Sequence, residues 1–332
     1  MPRFSVIIPV YNRPEEVVEL LDSLTLQSMK DDIEVIIVED GSEKPCKEVI
    51  DCYYKELDLK YIYQQNGGPG AARNTGASKA EGEYLIFFDS DCIIPSEYFK
   101  IINSHLPKKG LDMFGGPDKE HPFFTPIQKA ISYSMTSFIT TGGIRGSKEK
   151  MDRFYPRSFN MGIRNDVFKK LKGFSDMRFG EDLDISMRAI ENGFSVGLIP
   201  DASVYHKRRT NFKAFFKQVF NSGIARINLA LLHKNTLKPV HFLPALFTIG
   251  YPLLLILGIF VHKIFLYLFF AFPAIIFIDS LIKMKSIKVA LLSIVSSFIQ
   301  LTGYGTGFIK AFWKRIILKK GAFHNFVKNF YD

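Results

Sequence analysis

Cysteine and tryptophan are scarce in this chain of 332 residues, which holds three Cys and a single Trp. Cys46, Cys52 and Cys92 are too few for a disulfide framework, and their spacing matches no zinc site. We therefore expect a core that needs neither disulfides nor a structural metal, and a reducing, cytosolic setting. We expect no signal peptide, because the first apolar stretch, Phe4–Val10, is short and contains Pro9.

Acidic side chains are almost missing from residues 203–332, which contain Asp279 and Asp332 against 18 Lys and Arg. The preceding residues carry a net charge of −6, so the total of +10 conceals an acidic front and a basic back. A nucleic-acid binder would carry a basic stripe on its soluble fold, so no nucleic-acid partner is expected. Basic residues beside apolar runs indicate contact with an anionic membrane surface.

Charges are also sparse in three apolar runs, 239–262, 264–282 and 289–309. About 20 apolar residues span a bilayer, so the first two runs predict a transmembrane hairpin. The third run is softened by Ser, Thr, Gln and Gly, and it either spans or is re-entrant or interfacial. Three lysines follow the hairpin, and positive loops stay cytoplasmic. This predicts a protein of the cytoplasmic (inner) membrane whose front domain faces the cytosol.

Two features near these runs have alternative interpretations. Asp279 is an acid within the second run, and it is either functional or an interfacial residue near a helix end. Residues 206–238 place aromatic side chains at helical spacing with lysines between them, which predicts an amphipathic helix in the membrane interface. Packing of that helix on the soluble domain is the alternative. The predicted division is 1–205, 206–238 and 239–332, the last with a basic tail.

Short apolar runs and helical periods alternate over the first ninety residues, which is typical of an α/β fold with a mostly parallel sheet. Such sheets bind ligands beyond the carboxyl ends of their strands, where the polar clusters of this sequence fall. The expected strands are Phe4–Val10, Ile33–Val38, Lys60–Tyr63, Tyr84–Phe88 and Val196–Ile199. The expected helices are Pro14–Gln27, Lys44–Leu57, Pro69–Ala80 and Gly180–Glu191. From 95 to 160 the pattern loosens, and Thr140–Lys150 is predicted to be a mobile loop.

Two carboxylates, Asp89 and Asp91, follow a buried strand. Oxygen-rich, partly open sites suit Mg²⁺ or Mn²⁺, which keep positions free for diphosphate oxygens. A simple polar turn is the alternative, because Asp is common in turns.

A glycine-rich turn at residues 67–73 opens a helix, so its free N–H groups favour anions, and Arg73 could clamp a phosphate or a carboxylate. It is not a Walker motif, because no Gly-Lys-Ser/Thr follows, and its glycine spacing does not match the dinucleotide fingerprint. An ordinary glycine turn is the alternative.

Acidic residues also begin a predicted helix at Glu181, Asp182 and Asp184. Acids there complement the helix dipole, which is a purely structural explanation. The same dipole would keep Asp182 ionised, as a general base must be. His206 precedes three basic residues and could meet a phosphate or a metal, or it belongs to a solvated basic surface.

Considered together, eight motifs occur in a characteristic order. They are V-I-I-P-V-Y-N-R, I-I-V-E-D-G-S, N-G-G-P-G-A-A-R-N-T-G, F-F-D-S-D, F-N-M-G-I-R, G-F-S-D, G-E-D-L-D-I-S-M-R and H-K-R-R-T. Over about residues 1–226 the chain resembles the family 2 glycosyltransferases, which have the GT-A fold. The apolar tail resembles the subgroup that attaches sugars to lipid carriers or builds surface polysaccharide.

The resemblance implies a nucleotide-sugar donor and assigns roles to matching positions. It places on the donor side Pro9, Tyr11, Arg13, Asp40, Arg73, Asp89, His206 and Arg209. It implies that Asp91 binds the metal and that Asp182 is the catalytic base. Glu181 would shape the acceptor pocket, which Asn160 and Met161 would line.

Two departures from the family pattern bear on the activity. Glu39 stands where the family commonly has Asp, and the Gln-x-x-Arg-Trp signature of processive synthases is absent. Transfer of a single sugar is therefore favoured. We expect inverting, Mg²⁺- or Mn²⁺-dependent transfer to a lipid-linked saccharide. The alternatives are transfer to polyprenyl phosphate, nucleotidyl transfer, and a catalytically idle membrane scaffold.

Overall fold

The structure, a computed structural model, describes residues 2–121, 123–141 and 154–325. The chain divides into two compact units, of which the first comprises Met1–His121 and Arg153–Lys207. The second comprises Pro122–Asp152 and Arg208–Asp332. The first unit ends two residues beyond the predicted boundary at 205. The grouping of 122–152 with the C-terminal part was not expected from sequence, and the three-part division stays a prediction.

The strands form two sheets, and all of these strands belong to the first unit. They are β1 Phe4–Val10, β2 Ile33–Asp40, β3 Asp58–Gln64, β4 Tyr84–Phe87, β5 Cys92–Ile93, β6 Met113–Gly115, β7 Asp118–Lys119, β8 Met161–Arg164, β9 Val196–Leu198 and β10 Val204–His206. Seven of them form a sheet of order β3-β2-β1-β4-β8-β6-β9, and three form a sheet of order β5-β10-β7. Only β8 runs antiparallel to its neighbours in the larger sheet. The expectation of a mostly parallel sheet is therefore confirmed.

Helices flank the sheet of the first unit and make up most of the second. They are α1 Pro14–Thr25, α2 Lys47–Ile50, α3 Pro69–Ser78, α4 Tyr98–Lys109, α5 Pro126–Thr136, α6 Phe138–Thr141, α7 Asn165–Lys170, α8 Glu181–Glu191, α9 Phe212–Leu232, α10 Leu243–Phe260, α11 Ile264–Met284 and α12 Ile287–Ala311. α5, α6 and α9 to α12 lie in the second unit, and the others lie in the first.

The central strands are buried on both faces, which explains their mostly apolar sequences. In β1, Val6 and Ile8 enter one core cluster, whereas Ile7 enters the other. β1 pairs in register with β2 so that Val10 lies beside Glu39, and β2 pairs with β3 so that Asp40 lies beside Gln64. The carboxyl ends of these strands therefore bring their polar loops to one edge.

The sequence prediction was wrong or incomplete in two places. The expected helix Lys44–Leu57 is only the short α2, followed by a 3₁₀ helix at Asp51–Lys55, because Pro45 and the low helix propensity of the Asp51–Tyr54 stretch disfavour a longer one. The irregular-looking stretch from 95 to 160 contains α4 and α5. Of the predicted mobile loop, Thr140 and Thr141 end α6, and 142–150 lie outside the described residues.

Small residues let the helices of the second unit approach closely. A methyl group on Gly223 of α9 would overlap the carbonyl oxygen of Tyr304 in α12, and one on Gly307 would overlap that of Phe220. Close backbone approach at glycines is typical of membrane helix pairs. Phe215 and Val219 of α9 are buried against α5. These two side chains therefore pack on protein, and the interfacial assignment of the whole segment stays a prediction.

Three helices of the described residues are long and apolar enough to cross a membrane, at Pro239–Phe260, Ile264–Met284 and Ile287–Ile317. The third helix is the most buried of these: 39% of its most apolar stretch is buried inside the protein, compared with 11% for each of the other two. Part of its cover comes from α5, because the Ser296 hydroxyl donates to the Ala130 carbonyl at 2.7 Å. The apolar surface of α10 and α11 indicates membrane association.

The acid in the second apolar run has partners within its own unit. Asp279 accepts a hydrogen bond from the Tyr133 hydroxyl at 2.6 Å and from Lys283 at 2.9 Å. The contact joins α11 to α5, which accounts for an acid at this position without a catalytic role.

The glycine packing of α12 predicts a selective loss of stability. Gly307→Ala should lower the midpoint of thermal unfolding by about 3 °C or more, because the added methyl meets backbone that cannot move freely. Gly250→Ala is the matched control, since no described atom lies within 4 Å of its added methyl group. Differential scanning fluorimetry in detergent compares them, and equal midpoints would contradict the proposed packing.

Candidate active site

The loops after the first two strands are tied together at the carboxyl edge of the sheet. Asn12 accepts hydrogen bonds from the backbone N–H groups of Glu43 and Lys44 at 2.8 and 3.1 Å. Its own N–H donates to the Ser42 hydroxyl at 2.8 Å. Asn12 has a φ of 55°, a left-handed conformation that Asn tolerates better than most residues. The edge is therefore held by specific polar contacts.

Asp40 shapes the glycine-rich turn. Its Oδ1 accepts from the Gln64 amide at 2.7 Å and from the Gly67 N–H at 2.8 Å, and its Oδ2 accepts from the Gly68 N–H at 2.8 Å. Gly68 has a φ of +91°, which favours glycine. The turn borders a cavity of about 200 Å³ that residues 175–178 also line. The expected contact of Asp40 with a nucleotide base stays a prediction.

Arg73 connects two acidic segments that are far apart in sequence. Its guanidinium donates to Asp89 at 2.6 Å and to Glu181 at 2.9 Å, and it lies over the Phe174 ring. The Arg73 side chain is only 3% exposed, so these charge-assisted bonds are shielded from water. The acidic turn after β4 and the start of α8 thus belong to one site.

A second pair of predicted site residues meets because of strand pairing. β10 pairs with β5 so that His206 lies opposite Cys92. This places the His206 Nε2 3.2 Å from the Asp91 Oδ1, while Arg13 donates to the Asp91 Oδ2 at 2.9 Å. The His206 ring stacks on Phe159 with centroids 4.6 Å apart, which fixes its orientation.

The donor atoms around Asp91 fit a divalent cation. Ligand atoms of Asp91, Cys92 and His206 lie within 4.8 Å of one another. Burial raises the pKa of the Cys92 thiol well above its usual value, and the thiol donates to the Phe159 carbonyl, so it stays protonated. Carboxylate and imidazole remain, a mixed set that fits Mn²⁺ as well as Mg²⁺.

The two acids that begin α8 have opposite electrostatic environments. Asp182 accepts from the Arg157 Nε at 2.6 Å and from the Leu183 N–H at 2.8 Å. Burial alone would raise the pKa of Asp182, but Arg157 and then Arg73 outweigh it and lower the net pKa. Burial and the Asp182 charge raise the pKa of Glu181. Opposed shifts divide the roles of paired acids, and Asp182 is the more readily ionised of the two.

Two predicted acceptor residues have buried side chains. Asn160 is fully buried, with its amide N–H donating to the Ala202 carbonyl at 2.8 Å and its amide oxygen accepting from the Tyr98 hydroxyl at 2.6 Å. Met161 begins β8 and is fully buried in the core cluster with Phe87. Both side chains have their contacts inside the protein, and their acceptor role stays a prediction.

The remaining predicted donor-side residues are divided between the two units. Pro9 is the partly exposed penultimate residue of β1, at the edge described above, and Tyr11 lies in the loop that follows. Arg209 lies in the second unit, and its donor role stays a prediction. Sequence reasoning missed Arg157, because no motif or spacing singles out this arginine.

Comparison with known proteins decides the family. A family model described as glycosyl transferase family 2 matches residues 5–171, which is half of the chain. The chain belongs to glycosyl transferase family 2. It is 29% identical over 256 residues to glycosyltransferase AglE of Haloferax volcanii, covering 76% of this chain and 82% of AglE. It is 28% identical to the uncharacterized glycosyltransferase EpsJ of Bacillus subtilis, covering 64% of this chain and 62% of EpsJ.

A longer relative matches this glycosyltransferase over only part of its length. The poly(ribitol-phosphate) β-N-acetylglucosaminyltransferase TarS of Staphylococcus aureus is 28% identical, and the match covers 62% of this chain and 35% of TarS. The match to a family model and the glycosyltransferase relatives identify the chain as a transferase enzyme.

Solved structures confirm the GT-A fold. The mannosyltransferase PcManGT from Pyrobaculum calidifontis, in complex with GDP-Man and Mn²⁺, matches with a TM-score of 0.70 and 15% identity, covering 95% of this chain and 88% of its own. TarS residues 1–349 in complex with UDP-GlcNAc match with a TM-score of 0.51 and 20% identity, covering 96% and 93%.

Proposed function

We propose that this glycosyltransferase moves one sugar from a nucleotide-sugar donor to a lipid-linked saccharide, with inversion of the anomeric configuration and with the help of a divalent cation. The observation that carries the proposal is the Arg73 bridge between Asp89 and Glu181. It joins a turn suited to a donor diphosphate to a helix start suited to proton abstraction. A single displacement needs both parts within one site.

The donor side of the site is electrostatically suited to a diphosphate that carries a cation. Asp91 and His206 would hold Mg²⁺ or Mn²⁺, and the bound ion would offset negative charge on the leaving diphosphate. Arg13 already contacts Asp91 and so adds positive charge there. PcManGT with GDP-Man and Mn²⁺, and TarS with UDP-GlcNAc, support a nucleoside diphosphate sugar as the donor class.

The acceptor side depends on Asp182. The ionised carboxylate takes the proton from an acceptor hydroxyl as its oxygen attacks the anomeric carbon. The bond from that carbon to the diphosphate oxygen breaks, and the diphosphate leaves from the opposite face. One such displacement inverts the configuration. Asp182 suits the base role better than Glu181, because only Asp182 has its pKa lowered by its surroundings.

The C-terminal helices support an acceptor held at a membrane. α10 and α11 present large apolar side chains on their surfaces, Leu246 and Ile278 among them. Such helices would anchor the enzyme in the cytoplasmic membrane, with the first unit in the cytosol, where nucleotide sugars are present. A polyprenyl-diphosphate-linked saccharide matches both the apolar anchor and the basic loops around it.

A donor panel tests this proposal. The full chain in detergent is incubated with Mn²⁺, a membrane lipid extract and a series of UDP- and GDP-sugars. We expect release of nucleoside diphosphate, and a lipid-linked saccharide whose mass increases by one sugar residue.

Asp182→Asn is the matched control and should form little product. Release of pyrophosphate, or no cleavage of any donor, would contradict the proposal, and sugar added to bare polyprenyl phosphate would overturn the acceptor assignment.

A further inference from the structure

Arg157 makes a short contact with the proposed base. Its Nε donates to the Asp182 Oδ2 at 2.6 Å, and the Leu183 N–H donates to the other carboxylate oxygen at 2.8 Å. The Asp182 side chain is 9% exposed and that of Arg157 is 38% exposed. A half-shielded, charge-assisted bond of this length strongly fixes the orientation of a carboxylate.

The backbone around Arg157 is itself anchored to the same helix. The Ser186 hydroxyl lies 3.0 Å from the Pro156 carbonyl and 2.8 Å from the Asp182 carbonyl, both of which can accept from it. On the other side, the Asn160 N–H donates to the Arg157 carbonyl at 2.9 Å. The backbone on both sides of Arg157 is therefore held near Asp182. Because of this, the Arg157 side chain loses less conformational freedom when its contact with Asp182 forms.

We propose that Arg157 is a positioning residue for sugar transfer, which holds the Asp182 carboxylate charged and in one orientation while an acceptor hydroxyl gives up its proton. The inference rests on the proposed role of Asp182 as the base. Each carboxylate oxygen has a second lone pair beyond the one that its present donor uses. The base can thus accept a proton without first losing Arg157.

Several charges face Asp182, and Arg157 is in direct contact with it. Arg73 adds a more distant positive charge, whereas the adjacent Glu181 opposes ionisation. The negative charges of Asp182, Glu181 and Asp118 in turn favour the charged form of Arg157 and raise its pKa. An arginine beside an aspartate lowers the carboxyl pKa by about 1–3 units. Removal of Arg157 takes away the largest of the interactions that offset the desolvation of the Asp182 carboxylate and leaves Arg73 and the Leu183 N–H among those that lower its pKa.

The pH dependence of turnover tests the inference. In Arg157→Gln, kcat should decline at a pH about one unit or more higher than in the native enzyme, so that turnover on the acid side falls about tenfold or more. The KM for the donor should stay within about threefold, because Arg157 contacts Asp182 at the start of α8, on the proposed acceptor side. Arg157→Lys retains the positive charge and should keep the native acid limb with a reduced kcat. Superimposable profiles for Arg157→Gln and the native enzyme would overturn the inference.

A double-mutant cycle separates this role from simple support of the fold. Arg157→Gln should lower kcat in the native background and have little effect on residual turnover in the Asp182→Asn background, because the charge it serves is gone. Equal effects in both backgrounds would overturn the inference, even where the variants unfold at lower temperatures. If Asp182→Asn alone kept native turnover, the proposed function would fail. If Asp182→Asn were inactive and Arg157→Gln showed a native pH profile, only the role of Arg157 would fail.

Discussion

Asp182→Asn is expected to reduce kcat by roughly 10²–10⁴-fold, the usual contribution of a positioned general base. The amide keeps the shape of the side chain but cannot take up the acceptor proton. Donor affinity should change little, because Asp182 contacts Arg157 and the Leu183 N–H at the start of α8, on the proposed acceptor side. Steady-state assays of nucleoside diphosphate release, together with donor titrations, measure the two quantities separately.

Asp184→Asn is the matched control for this substitution. Asp184 lies in the same first turn of α8, where it forms an ion pair with Arg188 at 2.8 Å. Both substitutions remove one negative charge near the helix N-terminus, so an effect through the helix dipole would be similar in the two variants. We expect Asp184→Asn to retain more than about a tenth of native kcat, since Asp184 has no place in the proposed displacement. Equal losses in both variants would remove Asp182 from its role as base.

Asp91→Ala should weaken Mn²⁺-dependent donor binding by about 10–100-fold or more, because it removes the carboxylate of the candidate cation site. His206 lies 3.2 Å from that carboxylate and cannot replace its negative charge. Isothermal titration of a nucleoside diphosphate with and without Mn²⁺ measures the effect. The native chain should bind more tightly when Mn²⁺ is present.

The same titration in EDTA is the control for Asp91→Ala. Without a cation, the variant should bind the nucleotide about as well as the native chain, or more tightly, because a carboxylate that repels the diphosphate is gone. Arg13 then loses its Asp91 partner and keeps Glu16. Equal affinity of native and variant chains in Mn²⁺ would contradict the assignment of Asp91.

The front half of the fold could be predicted because its strands are buried on both faces. Phe4–Val10 and Ile33–Val38 are short, mostly apolar runs, and each is followed by a polar cluster. The apolar pattern and the turn residues therefore predict the same strand ends. The helices between residues 126 and 141 were harder to predict, because contacts with distant parts of the chain stabilise them. Tyr133, for example, meets Asp279 across more than a hundred residues of sequence.

The site was only partly readable from the sequence. Motif order correctly indicated that Asp89 and Glu181 belong together, since Arg73 joins them. It could not show which way a side chain points. Asn160 and Met161, which the resemblance assigns to the acceptor side, are both fully buried, and that role stays a prediction. Arg157 was missed for the opposite reason, because only three-dimensional packing brings it to Asp182.

The stereochemistry of transfer is the most direct test of the account, which rests on one displacement with Asp182 as the base. NMR of the anomeric centre in the purified lipid-linked product, compared with the donor sugar, gives the answer. An anomeric configuration opposite to that of the donor is the predicted result. A product with the configuration of the donor would require two displacements or a front-face attack, and it would contradict the mechanism.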